Sequence, residues 1–156
     1  MGDARIKIAR DKAELVQSLL ASEDTTGPFQ TYADIIAFAA VVGFQQQHKL
    51  PLSGEISKRD PAPIHRETFA SKGYEMLLNL IAVAATNETN ILSSDEDSSA
   101  RKLRIFEEYI NGGLEILKNR LLGSVDYAEK ILLEISQANN TSKESELNEF
   151  DLSSFI

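Results

Sequence analysis

The sequence predicts a mainly α protein: a multi-helix domain that opens on one short β-strand and closes on an extended acidic tail. Three observations predict it. Leu103, Phe106, Ile110, Leu114, Leu117 and Leu121 step by three or four, the strongest helical signal in the chain. Arg5-Ile6-Lys7-Ile8 instead alternates polar and apolar, the period of a half-buried strand. After Gln137 apolar periodicity gives way to a polar, acidic stretch.

The elements follow in order. Asp11 stands where an N-cap belongs, with Glu14 three positions on, so a helix is expected from Asp11 to Ser22 with Leu15, Leu19 and Leu20 on one face. Glu23 to Pro28 is a turn-rich break. Thr31 is the next N-cap, and its helix is expected to run to Gly43 as C-cap. That helix is apolar almost all round, through Ile35, Ile36, Phe38, Ala39, Ala40, Val41 and Val42. Such a helix is buried on most sides, by its own chain or by a partner subunit.

Gln45 to Pro63, with Pro51, Gly54, Pro61 and Pro63, reads as a connector. Gly73 divides a short helix (Ile64 to Lys72) from a longer one (Tyr74 to Thr86). Asn87 to Ser99 reads as an acidic loop. In the long helix that follows, Gly112-Gly113 either kinks the chain or admits another backbone closely. Gly123 ends that helix, and Val125, Ala128, Ile131, Leu132 and Ile135 build a last one. The expected organisation is a single helical domain over 1–136, made of a strand-helix-helix unit (1–44) and a helical bundle (64–136). A tail over 137–156 completes the chain.

The chain has 156 residues and no Cys, which excludes disulfides, thiolate metal sites and thiol nucleophiles. Its net charge is −8, which argues against a generic binder of the phosphate backbone. The acid is uneven. Residues 1–66 balance eight basic against eight acidic side chains, whereas residues 121–156 hold two basic and seven acidic. No signal peptide is visible at Met1 to Arg5, and Leu77 to Ala85 is too short to cross a bilayer. The expected compartment is the cytoplasm.

Catalytic constellations are absent from the pattern. No nucleophile elbow, Walker A loop or GxGxxG occurs, and Gly112-Gly113 is followed by no GK[ST]. His48 and His65 have no ligand spacing, and a metal there would need distant carboxylates. Asp95-Glu96-Asp97 lacks the spacing of a calcium loop and suits a solvated helix N-terminus. Neither a catalytic residue, a cofactor nor a metal is expected.

Two features invite a binding role. A strand followed by two helices is the order of a ribbon-helix-helix module, in which strands of two chains pair and outward side chains enter a DNA groove. Here Arg5 and Lys7 would face the bases, with Arg10 and Lys12 near the backbone. The plainer reading is an edge strand guarded by charges. The second feature is the closing FDLSSFI. Phe150, Leu152, Phe155 and Ile156 either fold back onto the core or anchor the chain in a partner's groove.

Several stretches together resemble one family: RIKIARDKAELV (Arg5–Val16), TGPFQTYADIIAFAAVVGF (Thr26–Phe44), FASKGYEMLLNLIAVA (Phe69–Ala84), IFEEYINGGLEIL (Ile105–Leu117) and FDLSSF (Phe150–Phe155). They resemble the bacterial DNA phosphorothioation (Dnd) system-associated protein 4 family. The first half is also similar to the small ribbon-helix-helix-like DndE protein of the same pathway. The resemblance implies a setting. Such proteins accompany systems that replace a non-bridging phosphate oxygen of DNA with sulfur, or restrict DNA lacking that mark, as in phage defence. The catalytic steps there belong to companion proteins.

The expected function is therefore a non-catalytic accessory or adaptor protein of a phosphorothioation modification or restriction system. Its expected partners are other proteins of that system, and further copies of itself in a homodimer or higher oligomer. The alternative is a ribbon-helix-helix-like DNA-binding protein or regulator of the same system, with weak DNA contact and no membrane contact. An enzyme would need a pocket converging carboxylates on His48 or His65.

Overall fold

A computed structural model of the protein describes residues 4–137. Strand β1 (Arg5–Ile6) leads through a 3-10 turn at Arg10–Lys12 into helix α1 (Ala13–Leu19). A small hairpin follows, β2 (Ala21–Ser22) with β3 (Thr25–Thr26), and then helix α2 (Tyr32–Gln45). Strand β4 (Ile64–His65) runs directly into α3 (Arg66–Ser71). Helix α4 (Glu75–Thr86), a 3-10 turn at Thr89–Leu92 and helix α5 (Glu96–Leu121) come next. A sixth helix, α6, occupies residues 127–137. The fold is mainly α, with two short two-stranded sheets among the described residues.

Helix α5 is the axis of the molecule, about 39 Å long at the usual rise per residue. Asp95 caps it, accepting from the Ser98 N–H at 3.1 Å. Hydrogen bonds from Ser93 and Ser98 hold the Asp95 carboxyl down at about 2, and Glu96 and Asp97 complete a first turn that suits the helix dipole. Lys118 and Arg120 do the same at the other end. Gly123, at φ 80°, then turns the chain toward α6. Phe106, Ile110, Leu114, Leu117 and Leu121 point into a core shared with Ile6, Leu19, Ile35, Ile36, Phe69 and Leu78.

The contact of α2 with α5 is made by small residues. A Cβ on Gly113 would fall 1.8 Å from the Ala39 carbonyl oxygen, and one on Gly43 would fall 2.1 Å from that of Tyr109. A Cβ on Gly112 would meet the His48 carbonyl oxygen at 1.8 Å. Of the two readings for Gly112-Gly113, close backbone approach is the one the fold realises. Gly43 accordingly does not end α2. The helix runs on to Gln45, because Gly43 serves the packing and not the cap.

Other boundaries also move. Asp11 caps nothing: it lies in the 3-10 turn, and α1 starts at Ala13. That helix stops at Leu19 because Leu20 turns extended and bridges to Phe29, while Gly27 lies against the Leu19 backbone. Thr31 does cap α2, accepting from the Asp34 N–H at 3.2 Å. Ile64-His65 forms a strand, not the start of a helix, because β1 pairs with it. Helix α5 starts inside the expected acidic loop, at Glu96.

The pairing of β1 bears on function. Arg5 faces His65 and Ile6 faces Ile64 in an antiparallel ladder within the same chain. The extended segment continues, with the Ser57 N–H donating to the Ile8 carbonyl at 2.8 Å and the Arg10 N–H to that of Glu55 at 2.8 Å. On the opposite edge the Lys7 N–H donates to Glu107 Oε2 at 2.6 Å. The order strand, helix, helix is present, but the strand's partners are β4, the 55–57 segment and α5 of its own chain. Strand exchange with a second chain, as a ribbon-helix-helix dimer requires, would break these bonds.

Candidate functional site

The four cations singled out in the N-terminal segment divide. Arg5 and Lys7 are exposed, on the outward positions of the strand. Arg10 is exposed and ion-paired with Glu55. Lys12 is buried, at 4% exposure, and its ammonium donates to Asn111 Oδ1 and Asp11 Oδ2, both at 3.2 Å. A cation held in the interior is closed to a phosphate. The run of four basic residues is thus not a four-residue contact surface.

Glu107 and Asn111 of EEYINGG turn inward as well. The Glu107 carboxyl, covered to 7% exposure, is pushed up by burial and drawn back by the Lys7 N–H it accepts. The Asn111 amide donates to the Leu50 and Pro51 carbonyls, each at 3.3 Å, while its oxygen takes Lys12. The Leu50 N–H donates to the Glu108 carbonyl at 3.0 Å. One stretch of α5 thus ties down the strand edge, the 3-10 turn and the connector, which explains why those residue types stand at that spacing. His48 Nε2 lies 3.7 Å from Glu115. No group of three or more His, Asp or Glu side chains among the described residues is arranged to hold a metal ion.

The other distinctive stretch, TGPFQTYAD, borders an open groove of about 460 Å³. It is lined by Pro28, Phe29 and Gln30, by Asp34, Ala37, Phe38 and Val41 of α2, and by Leu77 of α4 with Tyr74 just before that helix. Phe29 and Phe38 pack at 5.3 Å between centroids. The apolar surface continues around α4 through Leu80 and Met76, which are 62% and 70% exposed. Isolated apolar side chains on a surface are ordinary; a contiguous apolar groove between two helices is a binding feature.

A polar rim stiffens this groove. The Tyr74 hydroxyl donates to Asp34 Oδ1 at 2.6 Å, and the Lys72 ammonium donates to Asp34 Oδ2 at 3.0 Å and to Thr31 Oγ1 at 2.9 Å. Burial works to raise the Asp34 carboxyl, but hydrogen bonds from Tyr74, Lys72 and Thr31 outweigh it and hold the carboxyl below its ordinary value. The same bond to Asp34, with burial, pushes the Tyr74 phenol up to about 12. Nearby, the Tyr32 hydroxyl donates to Asp60, and burial with that carboxylate raises it to about 12. These tyrosines stay protonated at neutral pH and act as clamps.

The groove was not legible as such in the sequence. Its one signal was the excess apolarity of α2. The expected anchor residues Phe150, Leu152, Phe155 and Ile156 lie outside the described residues. Among those described, no helix is long and apolar enough to cross a membrane.

Comparison with curated proteins and with solved structures finds no match to this chain. A family pattern does match, over residues 5–155, from the first strand almost to the last residue of the sequence. It covers both GPFQTYAD at the groove and EEYINGGLEIL on the axis, and the chain belongs to the DNA sulphur modification system-associated protein 4 family.

Proposed function

We propose that this protein is a non-catalytic adaptor of a bacterial DNA sulphur modification or restriction system, working in the cytoplasm. It holds another protein of that system in the groove between α2 and α4. The groove itself is the observation that carries this reading, since an open, mainly apolar furrow between two helices suits the apolar stripe of a third. The internal use of Glu107 and Asn111 is consistent with it, because those polar groups are committed to the fold. Phe150, Leu152, Phe155 and Ile156 are a second contact for the same partner.

Co-expression with each other protein of the system, followed by affinity co-purification, tests the proposal. The wild-type chain should retain one of them. Val41→Asp combined with Leu80→Asp should release it while the melting temperature holds, because both side chains are exposed. Retention by that variant overturns the groove. Retention after deletion of residues 150–156 overturns the tail contact.

A further inference from the structure

Three cations far apart in the chain meet in one cleft of about 610 Å³. Lys49 comes from the connector, and Arg101 and Arg104 come from one face of α5, a turn apart. Ala85 and Thr86 at the end of α4 and the buried Ile105 also line it. The Lys49 ammonium stands 5.7 Å from the centroid of the Tyr109 ring, which steadies it beside the cleft.

The balance of charge in the cleft is positive. Glu108 is the acidic residue in its lining, and although it stands one turn beyond Arg104, no ion pair joins them. Arg101 pairs with Glu88 at 2.9 Å, but both side chains are nearly half exposed, so solvent screens the pair and an incoming anion can displace it. Arg104 is exposed and has no acidic partner among the described residues. Like charges gathered in one concavity raise the local potential and draw anions toward it. Two guanidinium forks and one ammonium are the donor set that suits a phosphate oxyanion.

We propose that Lys49, Arg101 and Arg104 form a binding site for a phosphate group, the shared chemistry of a nucleic-acid backbone and of free phosphate. The net charge of −8 forbids a wide nucleic-acid surface but leaves a contact with one or two phosphates open. This site is separate from the α2–α4 groove and does not depend on the adaptor reading.

The test uses the whole chain and the variant Lys49→Gln with Arg104→Gln. Both residues are exposed, so an unchanged melting curve checks the fold. Anisotropy of a short labelled DNA duplex at low salt should show binding that the variant weakens about tenfold or more, with a salt slope shallower by about 2. The variant Arg5→Gln with Lys7→Gln should keep most of the affinity. A parallel titration with inorganic phosphate at fixed ionic strength, read by chemical shifts, separates the two sources. Duplex binding lost in the variant assigns the site to a nucleic-acid backbone. Phosphate shifts at Arg101 and Arg104 without duplex binding assign it to a free phosphate. Duplex binding equal in wild type and variant, or no response to either probe, overturns the site.

Discussion

Helix α2 has two long faces, and the chain treats them in opposite ways. The face carrying Ala39 and Gly43 meets α5 with backbone almost against backbone, because no side chain stands between them. The face carrying Asp34, Phe38 and Val41 looks onto an open groove, with Val41 at 36% exposure. Both faces are apolar, so hydrophobicity alone does not tell them apart. Residue size does. Glycine and alanine let two helices close until their dispersion contacts are continuous, whereas the bulkier Phe29, Phe38 and Leu77 line a furrow that stays open. The closed face confers stability, and the open face is the one the adaptor proposal assigns to a partner.

Enlarging the closed face gives the largest effect. Gly113→Ala sets a Cβ against the Ala39 carbonyl, and the helices must part or bend. The expected loss is about 3 kcal/mol or more. In a chain of this size that lowers the melting temperature by roughly 6–12 °C. An unchanged melting temperature would remove the distinction between the faces.

Next comes Asn111→Ala, which takes one of the Lys12 ammonium's two acceptors, leaving Asp11, and frees the Leu50 and Pro51 carbonyls. Chemical denaturation should register a loss of about 1–3 kcal/mol. A neutral result would mean that water replaces the amide, and that the seam is less dry than the packing indicates.

The open face should respond to acid. Asp34 is held below its ordinary carboxyl value, so its bonds stabilise the fold fully above that value and cease to do so as pH falls through the lowered one. Asp34→Asn should therefore melt below wild type at neutral pH, and the gap should close as the pH is taken below about 4. A gap that persists at low pH would show that the rim acts through packing and not through charge. At the alkaline end the sign reverses. The unfolded Tyr74 phenol ionises near 10 and the folded one at about 12, so stability falls as pH rises between them.

Val41→Asp, in the middle of the groove, gives the smallest effect on stability. Calorimetry should place it within about 0.5 kcal/mol of wild type. A loss comparable to that of Gly113→Ala would mean that the groove is closed in solution, and would make the two faces equivalent.

Much of the architecture was legible. Thr31 capping α2, the acidic start of α5, the helical step from Leu103 to Leu121 and the turns at Gly73 and Gly123 all follow from local rules. So does the alternation that buries Ile6 and Ile8 and exposes Arg5 and Lys7. These features depend on neighbours within a few positions, which a one-dimensional pattern records. Asp11 misled because a competing 3-10 turn, fixed by the distant 55–57 segment, decided where α1 begins.

By itself the sequence determined a cysteine-free, acidic, mainly helical protein of this family, with glycines where α5 could be approached. Tertiary structure decided what those residues do. It paired the first strand with β4 of its own chain and took Lys12 into the interior. It drew Lys49, Arg101 and Arg104 into one cleft and left one side of α2 uncovered. The physical reason is range. Caps, turns and periodicity are set by bonds and contacts a few residues apart, while charge clusters and grooves are made by segments that meet only after the helices have packed.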